Sequence, residues 1–246
     1  MNLKDQACVV TGAAHGIGLA ICRQLVSAGA QVVLSDLDLA ALTRAEAEFP
    51  SGRILTVPAD VRSSAELVAL AVETEKKLGP IAVWINNAGV ARHRKIPNYT
   101  SEEVDLMVDV NVKGVIYGSQ VAFRAMARRR SGHILNIAST AGTRGIPTES
   151  VYCATKFAVR GFTEALQEEA APYGIRVTSI LPGGVDTAFW DTAREHKPPV
   201  ERFLRPEHIA KAIVSVLEMD DVCVTREIVL RSASDADLTL AENAHV

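Results

Sequence analysis

An α/β fold, one domain with a doubly wound parallel β-sheet covered by helices on both faces, is what the sequence predicts. Three observations predict it. The 246 residues suffice for one large domain. Short β-branched runs alternate with longer helical stretches, which is the pattern of βαβ units. Those runs are apolar almost throughout, as strands covered on both faces are.

From the N-terminus, a strand over 7–10 leads to a helix over 17–28, and a strand over 31–35 to a helix over 39–48. A strand over 54–57 leads to a helix over 65–78, and a strand over 81–86 to helices within 102–130. A strand over 133–138 precedes a helix over 151–171, and a strand over 176–181 follows with no domain break before Pro182. From 183 to 206 the pattern loosens: Pro198 and Pro199 stand with Phe189, Trp190, Phe203 and Leu204 among charges. A long loop or two short helices acting as a substrate lid is the expectation there. Pro206 and Glu207 open a helix to about residue 217, and 227–230 reads as a last strand. The stretch 232–246 is small, polar and acidic, which reads as a surface tail, with docking onto a partner subunit as the alternative.

Composition narrows the functional classes. With 26 basic and 29 acidic residues the formal net charge is −3, which lacks the positive field that binding to nucleic acid requires. No apolar stretch approaches the roughly 20 residues that span a bilayer, and residues 1–5 lack the pattern of a secretory signal, so the expected compartment is the cytoplasm, away from membranes. Cys8, Cys22, Cys153 and Cys223 are scattered without CxxC pairs, arguing for reduced thiols and against a structural zinc site. Asn98-Tyr99-Thr100 matches a glycosylation acceptor formally and is read as chance.

The run Thr11-Gly12-Ala13-Ala14-His15-Gly16-Ile17-Gly18 lies between the first strand and the first helix. Glycines there permit positive φ and close backbone approach, and a helix beginning at Gly16 aims amides and a positive dipole end at a pyrophosphate. The spacing is GxxxGxG and not GxGxxG, and a tight turn that needs glycine for geometry alone is the alternative. Asp36 ends the second strand, where a carboxylate meets the adenosine ribose in Rossmann-like folds. Its charge opposes a 2′-phosphate, and its neighbours His15 and Leu37 offer no permanent cation, so NAD is favoured over NADP. Helix capping is the other use for an aspartate here, and it suits Asp38 better.

Tyr152 and Lys156 stand four apart in a helical stretch, on one face and one turn apart. A phenol with a reference pKa near 10 is a poor base at neutral pH, and an adjacent ammonium favours its ionised form. On spacing alone, an exposed helix pair is the plainer reading. Ser139, at the carboxyl end of a strand just before that helix, changes the balance. Ligands bind at such strand ends, and a serine hydroxyl can polarise a substrate oxygen while Tyr152 exchanges the proton. A serine turn is the alternative for Ser139.

These motifs, in this order, resemble the short-chain dehydrogenase/reductase family over about residues 5 to 187. They are TGAAHGIG from Thr11, Asp36, Asp60-Val61, Asn86-Asn87-Ala88-Gly89, Asn111, Ser139, Tyr152 with Lys156, and Pro182-Gly183 followed by Thr187. The resemblance implies a cofactor site of Gly12, His15, Gly16, Ile17, Gly18, Asp36, Asp60, Val61, Asn87, Ala88, Gly89, Tyr152, Lys156, Pro182, Gly183, Val185 and Thr187. It implies a catalytic set of Asn111, Ser139, Tyr152 and Lys156. Asp60 and Val61 would hold the adenine, Lys156 the nicotinamide ribose, and Thr187 the carboxamide. Asn111 would kink its helix and anchor a water that links Lys156 to solvent. A helix cap for Asp60 and a satisfied core amide for Asn111 are the alternatives. The chain lacks the Gly-Gly pair with which most members follow their last strand, which favours a homodimer through two long helices over a homotetramer.

The reaction expected is metal-free hydride transfer between NAD and a secondary alcohol or ketone with a largely apolar body, with Tyr152 as acid/base. An NADP-dependent carbonyl or 3-oxoacyl reductase, and a non-catalytic dinucleotide-binding sensor or scaffold, are the alternatives. Arg128-Arg129-Arg130 with Arg124 reads as a solvated helix end. Cys153 reads as a buried structural thiol, and Arg92, His93 and Arg94 as solvated loop charges.

Overall fold

The computed structural model describes residues 1–193, 200–220 and 222–233. Seven parallel strands form one sheet in the order β3-β2-β1-β4-β5-β6-β7. They are β1 (Ala7–Thr11), β2 (Gln31–Ser35), β3 (Ile54–Thr56), β4 (Ile81–Asn86), β5 (Gly132–Ile137), β6 (Ile175–Pro182) and β7 (Glu227–Leu230). The chain winds from β1 through β2 to β3, then crosses back to place β4 on the other side of β1. That reversal opens a crevice at the carboxyl ends of β1 and β4, where ligands bind in such sheets.

Alternate side chains of each strand feed the two faces. Val10, Leu34 and Ile85 pack on one face with α1 (Gly16–Ser27) and α8 (Pro206–Glu218), through Ile21 and Leu25 of the first and Ile209 and Ile213 of the second. Val9, Val33, Trp84 and Ile134 pack on the other with α3 (Ser64–Leu78), α5 (Gly114–Ala127) and α6 (Ser150–Ala170), through Leu67, Leu70, Val121, Met126 and Leu166. Removing one leucine of this size from water contributes about 2 kcal/mol, so the layers hold the strand ends in fixed relation.

Local chemistry sets the helix starts. Asp38 caps α2 (Leu39–Glu46) by accepting from the Ala41 amide at 2.9 Å, as expected for it and not for Asp36. Ser63 caps α3, which excludes the capping alternative for Asp60. Thr100 and Glu103 form a reciprocal box at the start of α4 (Ser101–Val108). Between α4 and α5 the backbone widens into a π-helical turn, Asp109–Lys113, centred on Asn111, the residue that the resemblance implies kinks its helix. Arg129 and Arg130 are exposed at the end of α5 and also donate to the carbonyls of Ile81 at 2.5 Å and Pro172 at 2.6 Å, which tie that end down.

A short helix, α7 (Phe189–Ala193), and a 3-10 turn, Val200–Arg202, flank the carboxyl edge of the sheet. Pro198 and Pro199, and the tail from 234 onward, lie outside the described residues. Among the described residues, no helix is long and apolar enough to cross a membrane.

Candidate active site

The turn after β1 is built for close approach. Gly12 and Gly16 have φ of 62° and 55°, a region that side chains disfavour. A methyl on Gly12 would lie 2.8 Å from the Ala88 Cα, and one on Gly18 would overlap the Gly12 carbonyl oxygen. The turn is stapled to the end of β4: Asn87 Nδ2 donates to the carbonyls of Thr11 and Gly12, each at 2.9 Å, and Thr11 Oγ1 accepts from the amides of Asn87 and Ala88. His15 precedes α1 without capping it, so the first amides of that helix, at Gly16, Ile17 and Gly18, have no side-chain partner from it.

Asp36 stands at the end of β2, its carboxylate accepting from the amides of Ala14 at 3.1 Å and Asp38 at 3.2 Å. Asp60 is gripped by Arg62, whose Nε and Nη2 donate to Oδ2 at 2.9 and 2.6 Å while its amide donates to Oδ1. That guanidinium holds the Asp60 carboxyl below the usual carboxylate range, with burial opposing. Arg62 also borders the cleft, so a permanent cation does stand at this end, contrary to the expectation from His15 and Leu37 alone. Val61 packs where Gly114 has no side chain: a methyl there would lie 2.9 Å from its Cγ2.

Tyr152 and Lys156 are buried at the cleft, 9% and 5% exposed, which excludes the exposed helix pair. Lys156 Nζ donates to the Ile137 carbonyl at 2.9 Å, and burial lowers its pKa to about 8. The Tyr152 phenol is pushed above its ordinary value, first by burial and then by the charge of Glu149, while a hydrogen bond with Ser139 opposes the rise. Desolvation thus outweighs the Ser139 hydrogen bond on the hydroxyl. Ser139 makes the serine turn and also faces the cleft. Its Oγ accepts from the Ala141 amide at 3.1 Å, capping a 3-10 turn, and it borders the cleft beside Tyr152.

Asn111 is fully buried in its π-helical turn and clasps Val90, accepting from its amide and donating to its carbonyl, both at 2.8 Å. Its Nδ2 also donates to Thr155 Oγ1, which in turn donates to the Tyr152 carbonyl at 2.7 Å. Thr155 thus links the kink to the helix of Tyr152, a role the sequence reading missed.

After Pro182, Gly183 donates to the Leu230 carbonyl at 2.7 Å, and Val185 forms a parallel bridge with Leu204. Thr187 sits across from Gly16, where a methyl would lie 3.2 Å from its Cγ2. Trp190 Nε1 donates to the Val185 carbonyl at 2.8 Å, and the Trp190 and Phe203 rings lie 5.2 Å apart. One cleft of about 670 Å³ runs from Asp36 and Asp60 past Gly89 to Tyr152, Phe189 and Trp190.

His93 departs most from expectation. It is buried, with Nδ1 3.4 Å from Glu149 Oε1 and its ring centroid 5.8 Å from that of Tyr152. Arg94 instead pairs with Glu103 at 3.1 Å. The position of Glu149, three residues before Tyr152, was the available signal. Cys153 is buried as expected, and burial pushes its thiol up. Among the described residues no cluster of three or more metal-ligating side chains occurs.

The model of the family described as short chain dehydrogenase matches residues 6–198. An uncharacterised oxidoreductase of Staphylococcus aureus (strain USA300) is 37% identical over 229 residues, covering 93% of this chain and 98% of that protein. A 3-ketoacyl-(acyl-carrier-protein) reductase from Brucella melitensis, solved with NADH, superposes with a TM-score of 0.87 at 28% identity, covering 95% of this chain and 99% of that one. An alcohol dehydrogenase from the archaeon Thermococcus sibiricus, solved with 5-hydroxy-NADP, gives 0.85 at 27% identity, covering 93% and 97%.

Proposed function

The chain belongs to the short-chain dehydrogenase family, and from that premise we propose that it is an NAD-dependent oxidoreductase interconverting a secondary alcohol and a ketone. One observation carries the reading: Ser139 and the buried Tyr152 and Lys156 converge on a cleft that begins at a glycine turn and an acidic strand end. The turn fits a dinucleotide, because Gly12 and Gly16 hold it in positive φ beside the cleft and His15 leaves the first amides of α1 without a side-chain cap. Relatives solved with NADH and with a modified NADP support a nicotinamide cofactor. Asp36 supports NAD among the two, since it would face the ribose with negative charge.

In oxidation, the substrate hydroxyl gives its proton to Tyr152 as phenolate while its carbon loses a hydride, leaving a ketone; reduction reverses both. When bound, the nicotinamide accepts or supplies that hydride. Ser139 donates a hydrogen bond to the reacting oxygen, and the Lys156 ammonium favours the ionised phenol as charge develops. Asn111 positions the Val90 loop and, through Thr155, the turn of α6 that bears Tyr152. The segment after Gly183 covers the substrate end, and a homodimer through α5 and α6 is the proposed assembly, in the cytoplasm.

A second reading, NADP-dependent reduction of a carbonyl or 3-oxoacyl substrate, is favoured by Arg62 at the adenosine end. Arg62 is committed to Asp60 through its bidentate pair, so NAD stays ahead. The test is a screen of secondary alcohols and ketones with both dinucleotides, following absorbance of the reduced nicotinamide. Faster turnover with NAD supports the proposal, and a strong NADPH preference in ketone reduction overturns it.

A further inference from the structure

The loop that leads into α6 carries a backbone conformation that its sequence disfavours. Ile146-Pro147-Thr148-Glu149 closes a type II turn: Pro147 takes the second position, Thr148 has φ 67° in the third, and the Glu149 amide donates to the Ile146 carbonyl at 3.1 Å. The third position of such a turn calls for glycine. A β-branched residue is strained there, and the strain persists only where neighbouring groups hold it. The turn also shapes the site, because Ile146 borders the cleft and packs in one apolar cluster with Tyr152 and Phe189.

Two donors from the loop after β4 hold it. The Arg94 amide donates to the Thr148 carbonyl at 2.8 Å, and the Tyr99 hydroxyl donates to the same carbonyl at 3.0 Å. Tyr99 shares that hydrogen with the Arg92 carbonyl at 2.8 Å. Burial, the largest influence on its phenol, pushes the pKa up, so the group stays a donor at neutral pH. The same loop begins at Val90, which borders the cleft and is clasped by Asn111, and its His93 amide donates to the Ala193 carbonyl of α7 at 2.7 Å. One hydroxyl therefore joins the two loops that bring Val90 and Ile146 to the cleft.

We infer that Tyr99 is a positioning residue for the substrate. Its hydroxyl keeps the Thr148 turn in the strained form, and that turn sets how far Ile146 reaches into the cleft beside Tyr152. Neither Tyr99 nor Thr148 borders the cleft, so both act through Ile146. Glycine in the third position would need no such hold. The inference rests on the hydride-transfer reading above.

The experiment measures oxidation of 1-phenylethanol by NAD, the NADH dissociation constant and the crystal structure for wild type, Tyr99→Phe, Thr148→Gly and the double variant. Tyr99→Phe keeps the ring among its apolar neighbours and removes the donor. It is expected to raise KM for the alcohol about tenfold, the weight of one neutral hydrogen bond, with kcat and NADH affinity close to those of wild type. In the Thr148→Gly background the same Tyr99→Phe change is expected to shift KM by no more than about twofold, because the turn then holds itself. A general loss of packing would lower kcat and stability together and would be the same in both backgrounds. An unchanged KM in Tyr99→Phe, or an equal rise in both backgrounds, overturns the inference. In the crystal structure of Tyr99→Phe, Thr148 is expected at negative φ with Ile146 displaced. If the wild type oxidises no alcohol, yet these shifts occur in Tyr99→Phe and are absent from the double variant, the clasp on the cleft wall stands and the hydride-transfer reading falls. If Thr148 keeps its positive φ in Tyr99→Phe, the clasp falls.

Discussion

Lys156 Nζ stands 5.7 Å from the centroid of the Tyr152 ring and donates at 2.9 Å to the carbonyl of Ile137 at the end of β5. The one-turn spacing delivers the ammonium beneath the ring, in a site dry enough to lower its own pKa to about 8 from 10.5. Between those two values the unfolded chain binds more protons at this lysine than the folded one, so its contribution makes stability rise with pH across that window. Below about pH 8 the buried charge is a standing cost. Urea unfolding of wild type and Lys156→Met at several pH values should show their stability difference moving in the wild type's favour between pH 8 and 10.5. A pH-independent difference would contradict the assigned burial.

Asp36 should govern cofactor choice. Asn there keeps the shape and loses the charge, so Asp36→Asn is expected to raise KM for NAD about tenfold, equivalent to about 1.4 kcal/mol, and to narrow the gap between NAD and NADP. Steady-state kinetics with both dinucleotides reads this directly. An unchanged ratio would remove Asp36 from the adenosine site.

Asn87 should matter to both stability and binding, because its side-chain amide supplies two of the bonds that tie the glycine turn to the end of β4. Asn87→Ala leaves the Thr11 and Gly12 carbonyls without those donors and is expected to destabilise the fold by about 1–3 kcal/mol. NADH fluorescence titration should show weaker binding in the same variant. Normal affinity would mean that the turn holds its shape without the staple.

Much of this fold is legible in the chain. Strands 31–35 and 81–86 fall where their apolar runs lie, because a strand buried on both faces needs little beyond that run. The π-helical turn at Asp109–Lys113 is legible only through the resemblance, which implies a kink at Asn111: no proline or glycine interrupts the stretch, and Asn111 holds the distant Val90 backbone by a pair of bonds. The motif residues Gly12, Asp36, Asp60, Asn87, Ser139, Tyr152 and Lys156 line one cleft. His93 and Glu149 did not announce themselves, because each looks like a solvated charge until the fold buries the two side by side. The direction of the Tyr152 shift was hidden for the same reason. Spacing reveals the nearby lysine, but only the packed structure reveals the desolvation that opposes it.

Tyr152 is the group on which the catalytic account depends, and Tyr152→Phe removes its hydroxyl while leaving the ring that packs against Phe189. The decisive measurement is turnover of a secondary alcohol beside the NADH dissociation constant, for wild type and this variant together. The account predicts a rate loss of at least about 100-fold with NADH affinity unchanged. Turnover by the variant at a rate near that of the wild type would contradict it.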